Sequence, residues 1–477
     1  MPAMKTCLLL ILLVLVAGCR GIVTPGEKEA RQQVRAVAGS YRPDGRRPEL
    51  PTLTSQSSLS NFLAYALLNQ AQVEAAYFDW LASVEGITVA RSLPDPQLTF
   101  QMDIQDVVTS LMPGVMMSFP GLGKLRAAGA LAAAESQTRY FAFKSASLQS
   151  AYEVERAYYQ LYFLGEKLRV NRENLALVSD LAKLARAQNE VGRVTLQDVL
   201  RAQIEERRLQ TDLANLEDSR GPLLAQFKAA LGLHADQPAP PVPERLESVP
   251  LDLTSDQVLA AALARNTRLS GLEAEVRTAE ASITLASKAR MPDVTVGAMA
   301  DLKTTPTLYR PWGTVSLPLW RDKLAAEVAQ AQANKRAGEA RLSAEQIELA
   351  VAVAERAFLY RQASRNIELL QKQLLPRQLQ SLEVARAGYL AGQIDFFNLT
   401  DAQQTLLRFS LDEVEARAQR EQALAELSFI AEGMPTTSAP MGAPGTAQTL
   451  SAGGMGTSGG GMLPGSSSAP KKSNGGM

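Results

Sequence analysis

Laid on itself with an offset near 200 residues, the chain repeats. Leu93-Pro94-Asp95 returns as Met291-Pro292-Asp293, and Ser118-Phe119-Pro120 as Ser316-Leu317-Pro318, both 198 residues on. Val191-Gly192-Arg193-Val194, Asp198 and Ala202-Gln203 return 200 residues on as Ala391-Gly392-Gln393-Ile394, Asn398 and Ala402-Gln403. A drift of two residues means that one supersecondary plan is built twice. The halves, residues 60–232 and 254–433, are joined by residues 233–253, whose Pro238-Ala239-Pro240-Pro241-Val242-Pro243 cannot continue a helix.

Each half opens with a helical stretch, Ser60 to about Arg91 and Thr254 to about Arg290, with Ser60 and Thr254-Ser255 as N-caps and a proline just beyond. The period then changes to two. Leu98, Phe100, Met102 and Ile104 alternate with Gln97, Thr99, Gln101, Asp103 and Gln105. Val294, Val296, Ala298, Ala300 and Leu302 repeat the pattern against Asp293, Thr295, Asp301 and Lys303, with Gly297 and Met299 blurring the polar side. Returning strands come next, around Val115, Met117 and Phe119 and around Val315, Leu317 and Leu319, so each half contributes one hairpin, about 96–119 and 293–319.

Two-faced strands suit both a membrane barrel wall and a half-buried soluble sheet. The segments C-terminal to the hairpins are not those of a globular domain. Residues 121–190 and 322–390 carry almost no Gly-Pro punctuation, so each predicts a rod of about 100 Å. Leu161, Leu164, Leu168, Leu175, Val178, Ala182 and Ala185 fall on alternating spacings of three and four, with Asn171 in the remaining slot, and Leu375, Leu379, Leu382 and Tyr389 do likewise. Each rod turns at Gly192 or Gly392 and returns, through Leu196, Leu200, Ile204, Leu209 and Phe227 or through Leu399, Leu406 and Leu427. Four strands cannot close a barrel, and open edges in lipid leave unsatisfied backbone groups, so a membrane-spanning chain of this kind must oligomerise. The expected fold is mainly α with a small β part.

Lys and Arg number 49 against 49 Asp and Glu, which supplies no field for nucleic acid. His234 is the sole imidazole, beside a Pro-rich linker, and both cysteines lie in the first 19 residues, so no metal site, cofactor site or disulfide framework is expected. Acidic pairs such as Glu205-Glu206 sit on solvated helix faces and no phosphate-cradling loop follows a strand; no catalytic residue is expected, and the chain reads as not an enzyme. Met102, Met112, Met116 and Met117 are read as strand and loop packing.

Residues 1–18 join Lys5, the apolar run Leu8 to Ala17 and Gly18 in an export signal too short to span a bilayer. Leu15-Val16-Ala17-Gly18-Cys19 resembles the bacterial lipobox, which implies a mature chain beginning at a lipidated Cys19. Residues 19–59 then form an anchored segment and linker. The Gly/Ser/Pro/Met-rich tail, residues 434–477, predicts disorder.

The lipobox, the duplication, the strand pair after proline and the tip sequences Glu190 to Gln203 and Ala391 to Gln403 together resemble the TolC-type outer-membrane efflux family. Phe119-Pro120-Gly121-Leu122-Gly123-Lys124 and Leu317-Pro318-Leu319-Trp320-Arg321-Asp322-Lys323 resemble the strand-to-helix junctions of its lipoprotein branch serving heavy-metal and drug exporters. The resemblance implies a homotrimer with a twelve-strand β-barrel, four strands per chain, continued by a periplasmic α-barrel. It implies an exit duct of a tripartite efflux or type I secretion system, held in the outer membrane, with a periplasmic adaptor and an inner-membrane pump of RND type as partners. It also implies a gate at the helical tips, with Asp198 and Tyr389 matching a tie, Asp401 matching an acidic pore ring and Asn398 standing at the neighbouring ring position. The turns at Gly192-Arg193 and Gly392-Gln393 are the expected adaptor-docking tips. A lipid-anchored periplasmic coiled-coil scaffold or an adaptor without a pore is the competing reading.

If Asp198 and Tyr389 hold a closed gate, Asp198→Ala or Tyr389→Phe raises single-channel conductance of the isolated trimer in a planar bilayer. Unchanged conductance in both removes the assignment.

Overall fold

The computed structural model describes residues 23–104, 108–244, 246 and 254–432. The export signal, Cys19 and the tail lie outside the described residues.

The first described element falls within the stretch expected to be anchored segment and linker. Helix α1, Pro25–Tyr41, begins at Thr24, whose hydroxyl accepts from Glu27 N, with proline in the first position. Ala30, Val34, Val37 and Tyr41 recur at helical spacing along its inner side. They pack on Val73, Tyr77, Trp80, Val84, Ile87 and Phe143, where Trp80 stacks on Phe143 at 5.9 Å. Glu27, 2% exposed, is held by Arg91 Nε at 2.5 Å and Arg31 Nε at 3.2 Å and accepts from Thr88 Oγ1 at 3.0 Å. Burial opposes its ionisation, but these donors outweigh it and keep the carboxyl below the ordinary glutamate range.

The opening helix of each repeat is two helices rather than the single one expected: α2, Leu59–Asn69, and α3, Ala71–Arg91, in the first repeat. Farther on, α7, Ser255–Arg265, and α8, Thr267–Lys288, repeat the break. Thr254 caps α7 in a capping box with Gln257, as its position suggests, whereas the first cap falls on Ser58 instead of Ser60. Both breaks fall at carboxamides in non-helical backbone, Gln70 and Asn266, and both serve the ends of returning helices. Asn69 Nδ2 donates to the carbonyls of Leu231 and Gly232 at 2.8 and 2.9 Å, and Asn266 Nδ2 donates to that of Ile430 at 2.8 Å. A helix C-terminus leaves carbonyls without intrahelical donors, and these side chains supply them.

After strands β1, Gln97–Ile104, and β2, Val108–Phe119, comes helix α4, Lys124–Glu190, whose 67 residues span about 100 Å. It returns as α5, Leu196–Asp218, and α6, Arg220–Ala230, interrupted at Ser219 because Pro222 has no N–H to donate to Asp218. In the second repeat strands β3, Asp293–Asp301, and β4, Leu308–Ser316, precede α9, Arg321–Leu369. The expected rod is continuous there only through a π segment, Leu370–Leu374, which adds a residue to the turn just ahead of Pro376 and leads into α10, Leu375–Leu390. Helix α11, Phe396–Glu432, returns.

Within the chain the long helices stand side by side in the order α5, α4, α11, α10. The expected seam of α4 is buried at Leu161, Leu164, Leu168, Asn171, Val178, Ala182 and Ala185, and Gln403 Nε2 donates to Asn174 Oδ1 at 2.6 Å inside it. The expected packing of Leu196, Leu200 and Ile204 is not found. These residues are 62%, 49% and 67% exposed, because α5 turns Val199, Ala202 and Leu209 toward α4 instead. Leu379 of α10 is exposed as well. Around the helix breaks Phe62, Tyr158 and Phe227 form a buried aromatic group, and the Pro-rich connection packs against it through Val242 and Leu246.

Glu155 of α4 lies in this packed region. Burial pushes its carboxyl up to about 7, partly offset by the Tyr159 hydroxyl and reinforced by the charge of Glu421. The folded chain therefore holds this proton more tightly than the unfolded one, and the associated stability is present below the ordinary glutamate range and lost as pH rises through about 7. Glu155→Gln is expected to flatten the fall in thermal midpoint between pH 5 and pH 8; an unchanged fall counts against the burial argument. Trp80→Ala is expected to cost about 3–5 kcal/mol in chemical denaturation, because the indole is fully buried between α1 and Phe143.

Candidate functional site: the strand wall and the helical tips

The strands form one antiparallel sheet in the order β1-β2-β3-β4, with the two hairpins joined by pairing from Gly114↔Met299 to Phe119↔Val294. Register sorts the side chains into two faces. One carries Leu98, Phe100, Met102 and Ile104 with Val115, Val294, Val296, Tyr309 and Val315, all exposed large apolar groups. The other carries Gln97, Thr99, Gln101, Asp103, Ser110, Ser118, Thr295, Asp301, Arg310 and Thr314. No second layer covers the apolar face among the described residues, and β1 and β4 each keep one unpaired edge. The returning strands differ from expectation: β2 starts earlier, at Val108, and β4 stops at Ser316, leaving Leu317 and Leu319 beyond it.

Gly297 and Met299 belong to the polar face by register, and residue 297 is glycine for a steric reason. A Cβ at Gly297 would stand 2.6 Å from the Trp312 ring across the β3–β4 pair, so only glycine lets the indole lie flat there. On this face Ser110 Oγ donates to buried Asp301 Oδ2 at 3.1 Å. The junction into α4 is tied down by Asp293 Oδ1, which accepts from Gly121 N and Lys124 Nζ, both at 2.7 Å. Gly123 enters the helix at φ 84°. Leu122, Leu317, Leu319 and Trp320 project from the two junctions at 64–88% exposure.

At the other end of the long helices, Gly192 and Gly392 both stand at φ 72° and close Schellman turns. Arg193 N donates to Gln188 O and Gln393 N to Gly388 O, both at 2.9 Å. All four tip residues, Gly192, Arg193, Gly392 and Gln393, are exposed. The next helices restart on matching caps: Thr195 with Asp198, and Asp395 accepting from Asn398 N at 3.0 Å.

Asp198 is thereby engaged in its own helix cap, its Oδ2 accepting from Thr195 Oγ1 at 3.0 Å and Thr195 N at 3.3 Å. Tyr389 lies 4% exposed against Phe396 at 5.5 Å, and its hydroxyl has no hydrogen-bond partner among the described residues. The two are close enough that, after burial, the charge of Asp198 is what raises the phenol above its ordinary pKa. Asn398 and Asp401 are exposed and border one groove with Gly388, Ile394 and Gln393. Beneath these residues Leu181, Ala182, Ala185, Val199, Ala202, Leu382, Ala385, Phe396, Leu399 and Ala402 form one buried cluster holding both tips together.

Among the described residues no helix is long and apolar enough to cross a membrane. Residues 258–431 match the family model described as outer membrane efflux protein. No curated protein matches the chain by sequence. The structure is similar to that of the outer membrane protein VceC from Vibrio cholerae, with 16% identity, a TM-score of 0.66, and 79% of this chain and 96% of that one covered. It is also similar to the CmeC outer membrane channel of Campylobacter jejuni, at 12% identity, TM-score 0.66 and 82% and 90% coverage. The open-state MtrE outer membrane channel of Neisseria gonorrhoeae matches at 17% identity, TM-score 0.65 and 81% and 94% coverage. The described chain has the fold of these outer-membrane channels, and the family match lies in its second repeat, residues 258–431.

Proposed function

We propose that three copies of this chain assemble into an outer-membrane exit duct that passively conducts substrate from an inner-membrane pump and a periplasmic adaptor to the exterior. The observation that carries the reading is the strand wall: a sheet with one bare apolar face, one polar face and two open edges, continuous with helices of about 100 Å. In lipid the apolar face is satisfied by acyl chains and the polar face by water, and the edges by the neighbouring copies.

The helices support the same assembly. Inside the chain the outgoing helix of repeat one, α4, packs on the returning helix of repeat two, α11, where Phe396 is buried. Its counterpart 200 residues earlier is Leu196, which is exposed on the edge helix α5. Applying the same contact once more seats α5 of one copy, through Leu196, Leu200 and Ile204, on α10 of the next. A head-to-tail contact of this kind closes into a ring when its rotation returns to the first copy.

At the tips, Asp198, Tyr389, Asn398 and Asp401 form the gate region, and Gly192, Arg193, Gly392 and Gln393 the adaptor-docking turns. A charged hydrogen bond from the buried Tyr389 hydroxyl requires Asp198 to leave its cap, a cost small enough for a two-state gate. Lipidation at Cys19 fits the position of α1, since only a few residues separate it from Thr24, which packs beside Arg91 close to the start of the strand wall.

Detergent-extracted protein is expected to run as a heat-modifiable trimer and to give conductance steps in planar bilayers. Leu196→Asp with Ile204→Asp should dissociate the trimer while helix content is kept. Monomeric protein without conductance in the unmodified chain would sink the duct reading in favour of a scaffold. Labelled palmitate should enter the unmodified chain and not Cys19→Ala; equal labelling of both removes the anchor assignment.

A further inference from the structure

The polar face of the strand wall contains a group of methionines that no part of the duct requires. Gly114 lies on β2 between Met112 and Met116, all three on that face, and pairs directly with Met299 of β3. Because residue 114 has no Cβ, the Met299 side chain lies across the position: its Cγ occupies space that a Cβ there would need. Met299 is thus laid between the two neighbouring methionines. Thr99 Oγ1 approaches the same point from β1, 2.8 Å from where that Cβ would stand, and it is buried without a hydrogen-bond partner among the described residues. Met112 is only 2% exposed. Met102 and Met117, the other strand methionines, lie on the opposite, apolar face.

We propose that Met112, Met116 and Met299 form a binding site for a soft monovalent cation, Cu(I) or Ag(I), with Thr99 Oγ1 beside it. Thioethers are polarisable, uncharged ligands that prefer soft cations, and they need no deprotonation to bind them. Calcium, magnesium and zinc, which take oxygen, nitrogen or thiolate ligands, find no such set here. Trp312, packed over Gly297 in the next pair along, presents an aromatic face that favours a cation on its approach. Arg310, opposite Met299 on β4, has its charge offset by Asp301 at 3.9 Å. The site lies within one chain; its placement in a conducting lumen rests on the exit-duct reading.

The test is Ag(I) titration of the full-length, detergent-extracted protein by calorimetry, comparing Met299→Leu and the triple Met112→Leu/Met116→Leu/Met299→Leu variant with Met102→Leu/Met117→Leu. Leucine keeps the volume, so each variant is expected to fold, which its circular dichroism checks. One Ag(I) per chain should weaken by about tenfold or more in Met299→Leu and vanish in the triple variant, while the opposite-face variant binds as the unmodified chain does. Equal binding by the unmodified and triple-variant proteins, or loss in the opposite-face variant, overturns the site. Bilayer conductance measured on the same samples separates the two ideas: Ag(I) binding without conductance removes the duct and leaves the site standing.

Discussion

A β-strand carries a row of backbone donors and acceptors along each edge, and in hydrocarbon nothing but another strand can meet them. The sheet of this protein ends at β1 on one side and β4 on the other, with both outer rows open and one whole face of exposed Leu, Phe, Val and Ile. The two hairpins are placed edge to edge by β2–β3 pairing, the Asp293 carboxylate fixes the angle at which α4 leaves the wall, and the helices run on from both repeats in the same direction.

Duplication solves the geometric side of the problem. A helix order of α5, α4, α11, α10 leaves one returning helix and one outgoing helix at the two edges, so the contact used between repeats is available again between copies. The departures from ideal helix serve this packing. The breaks at Gln70 and Asn266 bring the carboxamides of Asn69 and Asn266 onto the carbonyl ends of α6 and α11, while the π segment before Pro376 lets a proline sit in a long rod without severing it.

Much of this is legible in the sequence, because the signals are periodic. Strict alternation in Gln97–Ile104 and its looser repeat in Asp293–Asp301 mark the two faces, and the three-and-four spacing in α4 marks its buried seam. The resemblance to the family rests on landmarks that the structure places at turns and junctions. Other features are not legible for physical reasons. Leu196, Leu200 and Ile204 have a seam's spacing but lie on an edge, since periodicity says that a face is apolar and not which neighbour covers it. Helix α1 reads as linker because its short apolar stripe is interrupted by charge, Glu27 and Arg31 among it, whose partners Arg91, Thr88 and Glu85 lie more than 50 residues away.

The sequence by itself determined the duplicated plan, the strand and helix periods and the glycine turns at 192 and 392, because each is carried by neighbouring residues. The tertiary structure alone decided which helices are neighbours, that Tyr389 is buried near Asp198 with its hydroxyl unbonded among the described residues, and that Met299 lies across Gly114 between Met112 and Met116. Those outcomes depend on pairing residues about 190 positions apart, and no local propensity carries information over that distance.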